Sequence, residues 1–115
     1  MRRGDIFLVA LEPVVGSEAA TTRPCVVVSN DERNRVSVRN QRGVITVVPV
    51  TSNVRRVFDF QVYLPAERTG LPLDSKAQGE QVRSVDVARA GRRVGRQPDD
   101  LLAHIDDALR LHLSL

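Results

Sequence analysis

The sequence predicts a mostly β protein: a small, mostly antiparallel barrel or curled sheet with one helix at its C-terminal end. Three observations lead there. Short apolar or β-branched runs recur as far as Val85, each bounded by Gly, Pro or polar clusters. The connections between them do not read as helices, which a doubly wound α/β sheet would need. Apolar side chains fall at helical spacing only after Pro98.

The first predicted strand is Asp5-Ile6-Phe7-Leu8-Val9-Ala10-Leu11, short and apolar, between Gly4 and Pro13. Pro13 to Thr22 follows as a long loop of Pro, Gly, Ser and Thr, and long loops tend to carry function. Pro24 to Ser29 is a β-branched run that reads as a strand buried on both faces. Asn30 to Arg42 reads as an exposed, arginine-bearing connection, with Asn30-Asp31 as a helix cap or turn. Gly43 to Val50 is the third strand, and Pro49 sets its end at an edge or bulge. Val57 to Leu64 alternates, with Phe58, Phe60, Val62 and Leu64 on one face. Leu73 to Gln78 and Gln81 to Val85 are weaker strands that carry Lys76 and Arg83, with Glu80 between them. Gly91 and Gly95 read as breakers. Pro98 and Asp99-Asp100 then suit a helix start, after which Leu101, Ile105, Ala108, Leu109 and Leu113 form a docking face and Asp106, Asp107 and Arg110 face water.

One domain over residues 1–115 is what this length accommodates. No apolar stretch approaches the roughly 20 residues that cross a bilayer, and the basic start is followed by too brief an apolar segment for a secretory leader. A lone Cys25 inside a valine run reads as a buried thiol in a reducing cytoplasm. Net charge is +3, but the basic residues are arginine except for Lys76. Arginine's planar fork suits phosphate and stacks on bases, so this composition fits a polyanionic partner; genomic base composition accounts for it equally well.

Most catalytic constellations are absent from the sequence. It contains no P-loop, no dinucleotide fingerprint and no Cys/His cluster for zinc, so no metal or cofactor is implied. His104 and His112 fall in the C-terminal helix, which disfavours a Ser-His-Asp triad. Two strand-end features remain: Arg23-Pro24 where the long loop enters the second strand, and Thr51-Ser52-Asn53 after the third. If those strands are antiparallel neighbours, Arg23 and Thr51 meet at one edge, and an arginine beside a hydroxyl makes a phosphate cradle. Taken singly, each is also an ordinary strand entry or turn.

Five segments in order resemble the MazF/PemK family of toxins. They are Arg2-Arg3-Gly4-Asp5-Ile6 with Leu11 to Glu18, then Arg23 to Asn30, Val48-Pro49-Val50-Thr51-Ser52, Ala77 to Ser84, and the closing Asp106 to Leu113. This resemblance implies an SH3-like barrel, a homodimer, and a sequence-selective endoribonuclease for single-stranded RNA that a small antitoxin neutralises. It implies Arg23 and Thr51 as the catalytic pair, Gly16, Ser17 and Glu18 on a loop over the RNA groove, and Ser52, Gln81 and Arg83 as further RNA contacts. It also implies attack by the substrate's own 2′-hydroxyl, leaving a 2′,3′-cyclic phosphate and a 5′-hydroxyl. Aromatic residues are scarce and Trp is absent, which leaves arginine planes to help stack bases. Two rivals stand beside this reading. A gyrase-poisoning toxin of the same fold is disfavoured by the missing terminal Trp, and a passive RNA-binding module would use Arg23 and Thr51 only as phosphate contacts.

Overall fold

Val44–Thr51 (β3) is the longest strand and the hub of the sheet, because three other strands pair with it. The structure is a computed structural model that describes residues 1–11 and 22–115. In chain order its elements are β1 (Asp5–Ala10), β2 (Thr22–Val27), α1 (Asp31–Asn40), β3, β4 (Gln61–Leu64), α2 (Ala66–Thr69), β5 (Ser75–Gln78), β6 (Arg83–Asp86), β7 (Ala90–Arg96) and α3 (Asp99–Leu113), with 3₁₀ turns at Gly79–Gln81 and Val87–Arg89. The strands run β4-β5-β3-β2-β1-β7, with β6 also on β3, and every pairing is antiparallel. This sheet curls without closing, so among the two predicted shapes the curled sheet is the better description.

Alternation along β2 and β3 sorts apolar side chains onto two faces. Val26, Val48 and Val50 join Ile6, Val62, Leu64 and Ala77 beneath Leu101, Ile105 and Ala108 of α3. Cys25, Val27, Ile45 and Val47 join Val9, Leu11, Val85 and Val87 on the other side. β2 is therefore buried on both faces, as its valine run predicts.

Several expectations change. The segment from Asn30 to Arg42, expected as an exposed connection, is mostly helix α1. Asn30 does cap it, accepting from the Arg33 N–H at 2.8 Å, while Asp31 and Glu32 sit in its first turn and Arg39 in its last. Its buried residues, Asn34 and Ser37, are polar, so no apolar stripe announces a helix. Asn34, 0% exposed, is satisfied by Ser29: it donates to the Ser29 carbonyl at 2.8 Å and accepts from the Ser29 hydroxyl at 2.5 Å. Gly43, at φ +123°, passes so close to this helix that a Cβ there would lie 2.9 Å from Ser37 Oγ.

Strand 57–64 shortens to Gln61–Leu64, because the Phe58 carbonyl accepts from the Gln61 N–H at 2.9 Å and the Gln61 side chain accepts from the Phe58 N–H at 3.1 Å. Those bonds close a turn where the alternation suggested strand. Gly91 and Gly95 lie within β7 rather than between elements. The β1–β7 ladder carries register shifts, and a Cβ on Gly95 would stand 2.4 Å from the Thr69 carbonyl, so glycine here permits close backbone approach. Pro98 caps α3 instead of opening it. Leu101, Ile105 and Ala108 dock as expected, but Leu113 is 49% exposed because the last turn of α3 outruns the core, and Asp106 is half-buried in an ion pair with Arg3 at 2.5 Å.

Gly95→Ala is expected to lower stability by about 1–3 kcal/mol, since the Thr69 backbone must retreat from the new methyl. The midpoint of urea unfolding measures it; an unchanged midpoint would contradict the close approach.

Candidate functional site

The site begins with the β2–β3 register. Cys25 faces Pro49, Val26 faces Val48 and Val27 faces Val47. Continued two residues toward the start of β2, the same register sets Arg23 opposite Thr51, and directly opposed residues project from the same face. Pro24 holds Arg23 in extended backbone. Arg23 and Thr51 both line a cavity of about 320 Å³ at this end of the sheet, together with Ser52, Ser75, Leu71 and Leu73.

Each polar group is poised as a donor. The Thr51 hydroxyl oxygen accepts from the Asn53 N–H at 3.2 Å, which uses a lone pair and leaves the O–H free to donate. Asn53 in turn accepts from the Arg55 N–H at 3.3 Å, so the chain leaves β3 through two consecutive side-chain-stabilised turns. Arg23 is exposed, and among the described residues its guanidinium has no hydrogen-bond or ion-pair partner. Together they offer a planar cation and a hydroxyl at one spot, the arrangement that grips a phosphodiester and meets charge developing on its oxygens.

Cys25, two residues along β2, is fully buried. Burial pushes its thiol up to about 12, against the pull of the Arg23 and Arg83 guanidinium charges. Its S–H lies 3.7 Å from the Arg23 carbonyl, to which it donates. The thiol is therefore an unreactive support under the arginine, in line with the sequence reading.

The remaining predicted residues divide. Ser52 shares the cavity with Arg23 and Thr51. Gln81 and Arg83 are exposed but are not among its described lining; Arg83 pairs with Val47, four residues or about 13 Å down β3 from Thr51. Gly16, Ser17 and Glu18 fall in residues 12–21, outside the described residues. His104 and His112 are exposed on α3, and the described residues contain no group of three or more His, Cys, Asp or Glu able to hold a metal ion.

Sequence reasoning missed three contributors. Lys76 on β5 is paired with Thr51 on one side and Tyr63 on the other, so a row Arg23–Thr51–Lys76–Tyr63 runs across four strands. The signal was present, a single lysine among arginines on a strand. Tyr63 is bound to Asp74; the carboxylate raises the phenol's pKa, and Asp74 itself is held low by the Ala66 N–H and by Tyr63. Between β3 and β4, Phe58 and Phe60 stack with centroids 5.3 Å apart and planes 4° from parallel, while Arg56 sits 5.6 Å from the Phe58 centroid. The expected shortage of aromatic surface is thus offset locally.

Comparison with known proteins adds independent findings. A family model described as PemK-like, MazF-like toxin of type II toxin–antitoxin systems matches residues 2–113. The chain is 56% identical over 115 residues to Endoribonuclease MazF9 of Mycobacterium tuberculosis, covering all of this chain and 98% of that protein. It is 32% identical to Endoribonuclease EndoA of Bacillus subtilis, covering all of this chain and 96% of that one. Among solved structures, a MazE–MazF crystal structure from Deinococcus radiodurans superposes with a TM-score of 0.80 at 27% identity, over the whole of this chain and 96% of that chain.

The raised thiol pKa has a direction that solution work reads. A folded value of about 12, above the ordinary thiol value of 9.0, means the native state holds the proton more tightly, so the stability contributed by Cys25 is complete below pH 9 and declines as pH rises towards 12. At pH 8 a thiol-reactive dye is expected to label the chain in guanidinium chloride and to spare it when folded. Rapid labelling of the native protein would place Cys25 outside the core.

Proposed function

The chain belongs to the PemK-like, MazF-like family of type II toxin–antitoxin toxins, and from that premise we propose how it acts as an endoribonuclease. Full-length relatives at 56% and 32% identity are named endoribonucleases, which favours RNA cleavage over gyrase poisoning or passive binding. The observation that carries the reading is that Arg23 and Thr51, at the same end of the antiparallel β2–β3 pair, line one cavity.

The substrate is single-stranded RNA. Its 2′-oxygen attacks the adjacent phosphorus as its proton leaves, a P–O bond forms, and the bond to the 5′-oxygen breaks with that oxygen taking up a proton. The products are a 2′,3′-cyclic phosphate and a 5′-hydroxyl. Arg23 binds the non-bridging oxygens and meets the charge that grows on them in the transition state; Thr51 donates to the same phosphate. A guanidinium keeps its proton in proteins, so Arg23 is an electrostatic catalyst and not the base. No step calls for a metal or cofactor. Ser52 and the Phe58–Phe60 stack serve the flanking nucleotides, the latter by stacking on unpaired bases, which a duplex does not present. Gln81, Arg83 and the loop bearing Gly16, Ser17 and Glu18 extend the RNA contact. The protein works in the cytoplasm as a homodimer, and a small cognate antitoxin restrains it; the MazE–MazF pairing of the Deinococcus relative supports that partnership.

Arg23→Ala and Thr51→Ala are each expected to reduce cleavage of a long RNA in EDTA by about a hundredfold or more, with thermal unfolding unchanged. A substrate with one 2′-deoxy sugar at the cleavage site is expected to bind and stay whole. Sequencing of the cut ends and binding of the deoxy substrate check both, and a fully active, folded Arg23→Ala protein would remove the assignment.

A further inference from the structure

Lys76 is an unusual residue. It is the only lysine in the chain, it is 8% exposed, and its ammonium has no carboxylate partner among the described residues. A buried cation without a counterion is costly unless something repays its desolvation. What it does have is the Arg56 carbonyl, to which Nζ donates at 2.5 Å. Arg56 belongs to the β3–β4 connection and lies over the ring of Phe58, which stacks in turn on Phe60. Lys76 faces Thr51 across the β3–β5 pair, so their Cβ atoms are about 5 Å apart. One side chain therefore ties the aromatic stack to the strand position that faces the Thr51 hydroxyl.

The β3–β4 connection has little else of this kind. Its described bonds are local ones, Asn53 to Thr51, Arg55 to Asn53 and the Phe58–Gln61 pair, and each spans only two or three residues. The Lys76 bond spans twenty, and it reaches a connection in which Phe58 is 43% exposed. Gln61, which accepts from the Phe58 N–H and donates to Glu80 at 2.6 Å, anchors the far end of this stretch, and the Lys76 bond anchors it to the strand position facing Thr51.

We propose that Lys76 is a positioning residue for RNA: by clamping the Arg56 carbonyl it holds the Phe58–Phe60 stack in register with Thr51, so that a base seated on the stack delivers its phosphate to the Arg23–Thr51 pair. This rests on the endoribonuclease reading above. The charge of Lys76, which has no carboxylate partner among the described residues, adds to the attraction for that phosphate.

A double-mutant cycle tests it. Affinity for a single-stranded RNA carrying a 2′-deoxy sugar at the cleavage site is measured for wild type, Lys76→Met, Phe58→Ala and the double variant, with thermal unfolding as the fold control. Phe58→Ala is expected to weaken binding about tenfold in the wild-type background, as loss of one base stack does. In the Lys76→Met background it is expected to cost no more than about twofold, because the ring is no longer held where a base can use it. Lys76→Arg, which keeps a cationic donor, is expected to recover most of the Phe58 effect. Equal Phe58→Ala losses in both backgrounds would overturn the clamp, and so would a Phe58→Ala protein that binds as wild type does.

Should Lys76→Met fail to fold, the wild-type protein still answers. A single lysine gives a single ammonium resonance in ¹⁵N-lysine-labelled protein. That resonance is expected to shift on saturation with the deoxy RNA and on Phe58→Ala substitution; a resonance indifferent to both refutes the proposal. Wild-type protein that neither binds nor cuts RNA would fail the functional reading itself, and the proposal with it, whereas wild-type cleavage with an additive cycle defeats the clamp alone.

Discussion

Antiparallel pairing of β2 with β3 is the constraint on which the site depends. Cys25 against Pro49 leaves Arg23 no position but the one facing Thr51. Strands buried on both faces have no wet side to fix their register, yet a slip here is expensive. Moving β2 by one residue would turn Cys25 and Val27 out of one apolar cluster and carry the Arg23 side chain to the face that Val26 shares with α3. Desolvating an unpaired guanidinium against Leu101 and Ile105 would cost more than any valine could regain. The arginine proposed to meet the phosphate thus also helps to specify the register that positions it.

How far the site was legible in the sequence follows from the same logic. Arg23 and Thr51 flank long β-branched runs, and such runs show as strands whatever surrounds them, so their ends were placed within a residue or two. Adjacency of the two strands was the single added assumption, and strands consecutive in the chain usually lie beside one another, as these do although the helix α1 connects them. The five-segment family resemblance then supplied what local pattern cannot, namely the expectation that a strand-entry arginine and a strand-exit threonine act together. Pro49 departs from its reading as an edge or bulge: it lies inside β3, paired with Cys25, and β3 has strands on both sides. It is tolerated there because it falls between the β6 partners of β3, which end at Val47, and the β5 partners, which begin at Val50.

What escaped did so for physical reasons. Periodicity reports apolar burial, and α1 buries Asn34 and Ser37 instead, satisfied by hydrogen bonds that a sequence does not display. Strand β7 carries two glycines that ordinarily punctuate, because Gly95 must admit the Thr69 backbone, a contact twenty-six residues distant in the chain. The alternation at Val57–Leu64 was real but was spent on an aromatic stack and a turn, not on a ladder. Lys76 was visible as the only lysine, but its importance lies in which strands flank β5, and topology of that kind is decided by the whole sheet.

Net charge, finally, is a poor guide to this molecule; the pairing of charges is a better one. A surplus of three cations is modest for a protein that grips a polyanion. Four aspartates, however, are committed elsewhere: Asp5 to Arg96 at 2.9 Å and Arg93 at 3.6 Å, Asp106 to Arg3, Asp100 to Arg68 at 2.7 Å, and Asp107 to Arg110 at 2.9 Å. These pairs gather around β1, β7 and the helices. Several are exposed and contribute little to stability. Their effect is subtractive: they neutralise arginines away from the cavity, while among the described residues neither Arg23 nor Lys76 has an ion-pair partner. On the proposed function, a phosphodiester arriving there supplies the missing counter-charge, where a hydroxyl and an aromatic stack can read its geometry. Specific attraction is produced by where the acids are placed as much as by where the bases are.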